Sequence, residues 1–529
     1  MGLPSYLRHI AEKYPNCLLS RRGRGNEQQC HRLFVDFNGI IHNAAAACMQ
    51  KSPKSECHDD DVISATLEAI SDLVERVRPS SQVYISIDGF PPYSKMVQQR
   101  QRRFMSSWRQ NQLPDGLRAR WDTNAITPGT IFMDKLADRL HDLSRRRSTP
   151  ECLWIVSDAS EPGEGETKIF KRMREDTADI GTITVVHGAD ADLLIRGLLY
   201  CAFGGPYTYV MREQRAPNAP IFVDLERLRQ YIRADMANGD AGLFDYVFLV
   251  QLVGNDFFPA LSFLHHKPFA VPFLMHLYRN VIAKPDLRLW EPDVTDDDAT
   301  TTIHWDNLLL LINEVASQED ARFPVGHDNF VAATPSHSMS PQERLDNLPL
   351  FHKYPGFDPR QPGWRRAYYK QLLRFNDPVE DRFRACAPYL QGMQWMLRYY
   401  VSNDAALGWR YPFTYSPTAT DLAIFLQATL DCGQQAMYSV LTGADAAFPS
   451  TDPRFQLLLV LPPQSEHLLP PALRPLMHDP RLGCVAFFPW DFRVATYMKR
   501  YIWECAPLIP EPNVALMFHR FTERVTTTP

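Results

Sequence analysis

Three observations predict an α/β fold with a mostly parallel, helix-covered sheet. Short apolar runs recur through the first half of the chain: Leu33–Val35, Val83–Ile87, Leu153–Val156 and Thr182–Val186. Stretches with helical spacing separate them. The clearest is Asp61–Val77, with Val62, Leu67, Ile70, Leu73, Val74 and Val77 on one side. Each run also ends close to an acid with a glycine nearby. Strands alternating with helices argue for a parallel sheet covered on both faces. In such sheets ligands bind beyond the carboxyl ends of the strands.

The elements follow in order. Leu33-Phe34-Val35 delivers Asp36, Asn38-Gly39 turns the chain, and a helix begins near Ile40. After the Asp61–Val77 helix, Val83–Ile87 delivers Asp88 and Gly89. Leu153–Val156 leads to Asp158 and then to Pro162-Gly163-Glu164-Gly165-Glu166, where two carboxylates stand between glycines. Thr182–Val186 leads through His187-Gly188 to Asp190 and Asp192. The apolar run Val247–Val253 is read as a further strand, ending at Gly254-Asn255-Asp256. One Asp after a strand is more often a helix cap or turn residue than a ligand. Five segments ending alike are harder to assign to capping alone.

Asp36, Asp88, Glu164, Glu166, Asp190, Asp192 and Asp256 are therefore candidates for one site. Crowded carboxylates raise one another's pKa unless something neutralises them. Mg²⁺ or Mn²⁺ would do so with oxygen ligands alone. Two such ions can stabilise the attacking and leaving oxygens of a phosphodiester. No obvious Ser or Cys nucleophile accompanies the acids, so a metal-activated water is the expected attacker.

A basic helix is expected beside this row. Pro91-Pro92 suits a helix start before Tyr93–Phe104. Lys95, Gln99 and Arg103 are four apart and share a face, which Arg102 borders. Val97, Phe104 and Trp108 can face the core. Cationic and amide donors on one face would hold a terminal phosphate.

Composition limits the alternatives. The 529 residues, 45% hydrophobic and 22% charged, allow a large core and more than one folding unit. The 42 prolines predict many loops. A net charge of −5 excludes a protein that coats nucleic acid through bulk charge, so any such contact must be a local patch. The 10 cysteines include no CxxC, and Cys17, Cys30 and His31 lack zinc spacing. Free thiols in a reducing compartment, cytoplasm or nucleus, are expected. No long apolar run suits a membrane span, and Met1–Pro15 lacks an apolar signal core, so secretion is not expected. Arg21–Arg24 reads as a solvated basic turn.

The chain resembles the XRN family of 5′→3′ exoribonucleases. The resemblance rests on Met1-Gly2-Leu3-Pro4, Val35–Asn43, Ile87-Asp88-Gly89, Lys95–Phe104 and Asn124–Thr130. It also rests on Ser157-Asp158 with Pro162–Lys168, Gly188–Leu193 and Val253–Phe257. It implies a Rossmann-like core of the PIN and flap-nuclease kind over residues 1–265, and makes the seven acids Mg²⁺ ligands, for two ions. Lys95, Gln99, Arg102 and Arg103 would bind a 5′-monophosphate, and His42 would stack on the first base. Thr167 stands where the family usually has His, which reads as a minor departure.

Residues 266–355 are the least regular and read as a variable insertion, with Ala332–Pro341 as a flexible loop. Helices are expected from Trp364 and over Tyr389–Tyr400, whose aromatic stripe reads as core. Gly392–Trp395, Gly408–Pro417, Leu461–Pro470 and Phe488–Phe492 resemble the family's second conserved region, placed at 356–529. There the resemblance implies a helix-rich wall that closes the active site, with Trp409 stacking opposite His42. The long C-terminal domains and zinc-knuckle insertion of some members are not matched, which implies a minimal member.

The implied protein is a monomeric, processive Mg²⁺-dependent enzyme that degrades single-stranded RNA with a 5′-monophosphate to nucleoside 5′-monophosphates. A flap endonuclease acting on DNA shares the acid row and a related fold. A catalytically silent RNA-binding scaffold is the non-enzymatic alternative.

Overall fold

The structure, a computed structural model, describes residues 6–19, 30–51, 57–114, 118–176, 181–214, 219–236, 238–265, 267–282, 287–295, 298–335, 339–351, 357–402 and 405–526. The Met1–Pro4 motif and the Arg21–Arg24 turn lie outside these.

A seven-stranded sheet organises the first half. Its strands are β1 (Leu18–Leu19), β2 (Arg32–Asp36), β3 (Gln82–Ser86), β4 (Leu153–Ser157), β5 (Thr184–His187), β6 (Thr208–Arg212) and β7 (Ile221–Asp224), in the order β1-β7-β6-β5-β2-β3-β4. The β4, β3, β2, β5 and β6 neighbours pair in parallel, while β7 and β1 run antiparallel at one edge. The α/β class read from the sequence holds, and four of the strands are the apolar runs singled out there. Alternation along each strand sorts the core onto two faces. Phe34, Tyr84, Val186 and Val210 join one apolar cluster; Leu33, Val35, Val83, Ile85, Val185 and Met211 join the other.

The helices of this half are α1 (Tyr6–Lys13), α2 (Asn38–Lys51), α3 (Asp59–Val77), α4 (Tyr93–Gln112), α5 (Ile131–Arg147), α6 (Gly165–Glu175), α7 (Asp192–Ala202), α8 (Leu225–Met236) and α9 (Gly239–Gln251). α9 corrects one expectation. The run Val247–Val253 is the end of this helix and the turn after it, not a strand. Residues 245–251 are all buried, so the run shows neither helical nor strand periodicity.

Residues 267–332 correct another. The stretch read as least regular forms α10 (Lys267–Val281), a hairpin of β8 (Trp290–Thr295) and β9 (Asp298–Ile303), α11 (Trp305–Ser317) and α12 (Glu319–Ala332). Leu274, Tyr278, Trp290, Leu311 and Phe323 pack in the same cluster as Phe34 and Val210. Part of the expected loop Ala332–Pro341, residues 336–338, lies outside the described residues.

The second half is helical. The predicted stripe Tyr389, Met393, Met396, Leu397 and Tyr400 is buried on the helix Cys386–Val401. The helix Pro453–Val460 packs on α4, where Phe455, Leu457 and Leu458 share a cluster with Met96 and Phe104. Arg100 of α4 is buried there as well. It donates to the Leu459 carbonyl at 2.6 Å and to that of Phe487. This holds α4 between the two halves with its polar face toward the carboxyl ends of the strands. Among the described residues no helix is long and apolar enough to cross a membrane.

Candidate active site

The strand ends open into a cavity of about 690 Å³. Asp36, Asp88, Glu164, Glu166 and Asp190 line it together with His42, Lys95, Gln99, Arg102 and Arg103. Asp192 and Asp256 do not line it; Asp192 is buried, and the half-buried Asp256 turns a covered carboxylate to Lys95. All the sequence-nominated acids thus gather at one end of the sheet, and the phosphate candidates of α4 stand beside them.

Local rules explain each position. Asp36 ends β2 and Asp88 lies two residues past β3, so both leave the sheet at its carboxyl edge. Asn38 fixes Asp88: its Nδ2 donates to Asp88 Oδ2 at 2.8 Å, and its Oδ1 accepts from the Asp88 N–H at 3.1 Å. The glutamate loop is pressed onto Gly89. The Gly89 N–H donates to the Gly163 carbonyl and the Gly163 N–H to that of Phe90, both at 2.8 Å. A Cβ on Gly89 would sit 1.8 Å from the Glu161 carbonyl oxygen, so a side chain there would push the loop away. Gly165 donates its N–H to Asp88 Oδ1 at 2.7 Å; a Cβ on it would lie 3.0 Å from Asp36 Oδ1. Lys168 Nζ donates to the carbonyls of Ser157, Asp158 and Glu161 and closes the loop from below.

Lys95 is where the structure departs most from expectation. It is 8% exposed and does not stand free beside Gln99 and Arg103. Its Nζ lies 2.5 Å from Glu164 Oε1 and 2.8 Å from Asp256 Oδ2. Burial works against its charge, but Asp256, Glu164, Glu166 and Asp190 outweigh this and hold its pKa well above the usual lysine value. Burial would likewise raise Asp256, yet Lys95 pulls it well below the usual carboxylate range.

The other acids keep the strain of crowding. Burial raises Asp36, and Asp88 and Asp190 raise it further. Glu166 is raised by burial and by Asp192, Glu164 and Asp190. Asp192 is raised to about 8 by burial, Asp190 and Asp256. Both oxygens of Asp192 and Oε1 of Glu166 are buried without a hydrogen-bond partner. Such oxygens carry a cost unless a cation meets them. The donor set is all hard oxygen, as Mg²⁺ or Mn²⁺ requires, and in its chemistry it fits those ions. Among the described residues no three of these acids stand close enough to form a ready-made cage, in keeping with Lys95 standing between Glu164 and Asp256.

On α4, Gln99 Oε1 accepts from Gln456 Nε2 at 3.2 Å and Arg103 donates to Thr127 Oγ1 at 2.8 Å, so both are oriented. Burial pushes Arg103 down to about 9, with Arg102 beside it. His42 opens onto the cavity, but the surrounding walls still desolvate it. Burial, then Arg102 and Arg103, push it down to about 4, so it is neutral at physiological pH.

Trp409 is not at the site. It is 2% exposed and stacks on Trp395 with ring centroids 5.0 Å apart. A Cβ on Gly392 would come within 2.9 Å of its ring, so the helix backbone packs directly on it. Its expected stacking opposite His42 is therefore withdrawn; Trp409 is core. The helical half reaches the acids through another aromatic. Tyr399 donates its O–H to Glu164 Oε2 at 2.5 Å and lies 3.1 Å from Thr167 Oγ1. The departure at Thr167 is thus one contact from the acid row. Arg196 stands 4.8 Å from the ring centroids of Tyr399 and Tyr400, with its Nε 3.7 Å from Glu166 Oε1. Tyr6, Arg8 and Arg212, which line the cavity, and Tyr399 and Arg196 behind it, were not found in the sequence. A tyrosine in an aromatic stripe carries no signal of what its hydroxyl meets.

Comparison with known proteins agrees with this architecture. The family described as XRN 5′-3′ exonuclease N-terminus matches residues 1–214, and that described as Xrn1 helical domain matches residues 360–515. The chain is similar to 5′-3′ exoribonuclease 2 of Gallus gallus, 27% identical over 96% of this chain and 68% of that protein. The Drosophila melanogaster 5′-3′ exoribonuclease 2 homolog is 27% identical over 96% and 69%. The Saccharomyces cerevisiae 5′-3′ exoribonuclease 1 is 24% identical over 96% of this chain and 42% of that protein.

Proposed function

The chain belongs to the XRN family, and on that premise we propose that it is a Mg²⁺-dependent 5′→3′ exoribonuclease. Its substrate is single-stranded RNA with a 5′-monophosphate, and its products are nucleoside 5′-monophosphates. One observation carries the reading: carboxylates from four strand ends and the cationic face of α4 share a single cavity of about 690 Å³.

Asp36, Asp88, Glu164, Glu166, Asp190, Asp192 and Asp256 would hold the metal, with Mn²⁺ able to replace Mg²⁺. Bound there, two such ions would supply an activated water and charge neutralisation at the phosphodiester. Gln99, Arg102 and Arg103 grip the 5′-phosphate with charge-assisted hydrogen bonds. Lys95 neutralises Glu164 and Asp256 before metal arrives, and can turn to the phosphate once its carboxylates are taken up. Neutral His42 offers a flat face to the first base, a sequence-tolerant contact. A walled cavity admits an extended strand and holds the terminal phosphate in place, which favours stepwise, processive cutting from the 5′ end.

The test compares RNAs of one sequence with monophosphate, triphosphate or capped 5′ ends. Only the monophosphate should be degraded efficiently. Equal rates on all three would remove the end-binding role from α4.

A further inference from the structure

Two cations of the cavity, Arg8 of α1 and Arg212, have no part in this scheme, and of the two only Arg212 stands on a strand of the sheet. Arg212 is the last residue of β6, at the same edge as the acids, and it lines the cavity beside Asp190. The register of β5 and β6 pairs His187 with Met211, so Arg212 stands level with the start of the loop that carries Asp190. Side chains alternate along a strand, so Arg212 lies on the face of Val210, as Asp36 lies on the face of Phe34; Val210 and Phe34 share one core cluster. Arg212 and Asp36 therefore leave the same face at the same end.

Strand order fixes the lateral arrangement. From β3, which leads into α4, the edge runs β3, β2, β5, β6. At about 4.8 Å per strand, β6 is about 10 Å from the Asp36 strand and about 14 Å from β3. Asp36 and Asp190 thus stand between two cationic ends, α4 on one side and Arg212 on the other. The neighbouring acid is not available to Arg212: Glu213 Oε1 is 2.7 Å from Arg76 and 3.8 Å from His187. Arg212 is half-buried, and burial lowers its pKa while Asp190 opposes this. A partly desolvated guanidinium facing a cavity suits a phosphate, which it can meet with two hydrogen bonds.

We propose that Arg212 binds a backbone phosphate of the RNA on the 3′ side of the bond to be cut, so that the strand crosses the sheet edge from α4 to β6 with the acids between its two anchors. This rests on the exoribonuclease reading, but adds a second phosphate subsite and a path for the strand. The competing role for Arg212 is that of a counterion to Asp190 alone.

The test measures binding of fluorescent 5′-phosphorylated oligoribonucleotides of one to four nucleotides, in EDTA, to the parent protein and to Arg212→Gln and Arg212→Lys. The mononucleotide should bind all three proteins equally, which also reports an intact fold. The parent should gain affinity as nucleotides are added. Arg212→Gln should lose at least about tenfold of that gain, and its salt dependence should be shallower by about 0.7 in log–log slope, one phosphate contact on a single strand. Arg212→Lys should recover the slope. With Mg²⁺, Arg212→Gln should raise KM on RNA far more than it lowers kcat and keep the preference for 5′-monophosphate ends. If Arg212→Gln binds the four-nucleotide RNA as the parent does, the subsite does not exist and the counterion role stands. If the parent binds none of these RNAs, the exoribonuclease reading fails with it.

Discussion

Replacing Lys95 with methionine removes the ammonium that bridges Glu164 and Asp256, and keeps the side chain unbranched and one atom shorter. Removing one partner of a buried ion pair costs about 3–5 kcal/mol, because the remaining charge is left unpaired. Lys95 has two such partners, so a loss near the top of that range is expected in EDTA at pH 8. The pH dependence follows from Asp256. Its pKa in the folded protein lies below its unfolded value of about 3.9. Its pairing therefore stabilises the fold above pH 4, and that contribution is lost as pH falls through the folded value. Without Lys95, burial favours the protonated form of Asp256 with only weaker opposition from cations such as Arg102, so the variant loses stability as pH rises above about 4. The gap between parent and variant should thus be small near pH 4 and largest near pH 8. Mg²⁺ can supply the missing positive charge, so it should stabilise Lys95→Met more than the parent. Urea unfolding at pH 5 and pH 8, in EDTA and in Mg²⁺, measures all four quantities. Equal stability of parent and variant in EDTA at pH 8 would refute the reasoning.

Three further outcomes are expected. Arg103→Ala should cut the preference for 5′-phosphate over 5′-hydroxyl RNA by about tenfold or more, measured as a ratio of kcat/KM values; an unchanged ratio would place the phosphate elsewhere. Tyr399→Phe removes the hydrogen bond to Glu164 without changing the stacking on Trp395. It should raise the Mg²⁺ concentration needed for half-maximal activity and leave the melting temperature in EDTA within a few degrees; unchanged Mg²⁺ dependence would make Tyr399 mere packing. Asp192 is protonated below about pH 8 in the metal-free protein, so Mg²⁺ must displace its proton. Mg²⁺ affinity should rise with pH up to about 8 and level off above, and calorimetry at pH 7 in buffers of different ionisation enthalpy should detect proton release.

Much of the site was legible because its logic is local. A strand alternates, ends, and hands an acid to the carboxyl edge; Asp36, Asp88 and the loops to Glu164 and Asp190 follow that rule. The helical spacing of Lys95, Gln99 and Arg103 needed only a little over two turns of regularity. Asp256 was found by the wrong route, since a helix buried all round leaves no periodicity to distinguish it from a strand. Residues 267–332 looked irregular because the acidic run Glu291–Asp298 carries no apolar pattern, yet most of that run belongs to the β8–β9 hairpin, and Pro272 and Pro324 sit inside helices that the core holds. Trp409 shows the other limit. A tryptophan in a proline-rich loop can face a ligand or a helix backbone, and only the approach of Gly392 decides it. Tyr399, Arg196 and Arg212 act across 200 residues of sequence or from a strand with no motif, so no spacing rule reaches them.

The central claim is that this acid row and this basic helix remove nucleotides from the 5′ end of RNA. The most direct measurement uses one single-stranded RNA with a 5′-monophosphate, labelled at its 5′ or 3′ end, incubated with Mg²⁺ and the parent protein or Asp190→Ala. The parent should release the 5′ label at once as a nucleoside 5′-monophosphate while the 3′ label stays long until late, and Asp190→Ala should release neither. First release of the 3′ label, internal fragments, or an active Asp190→Ala would contradict the account.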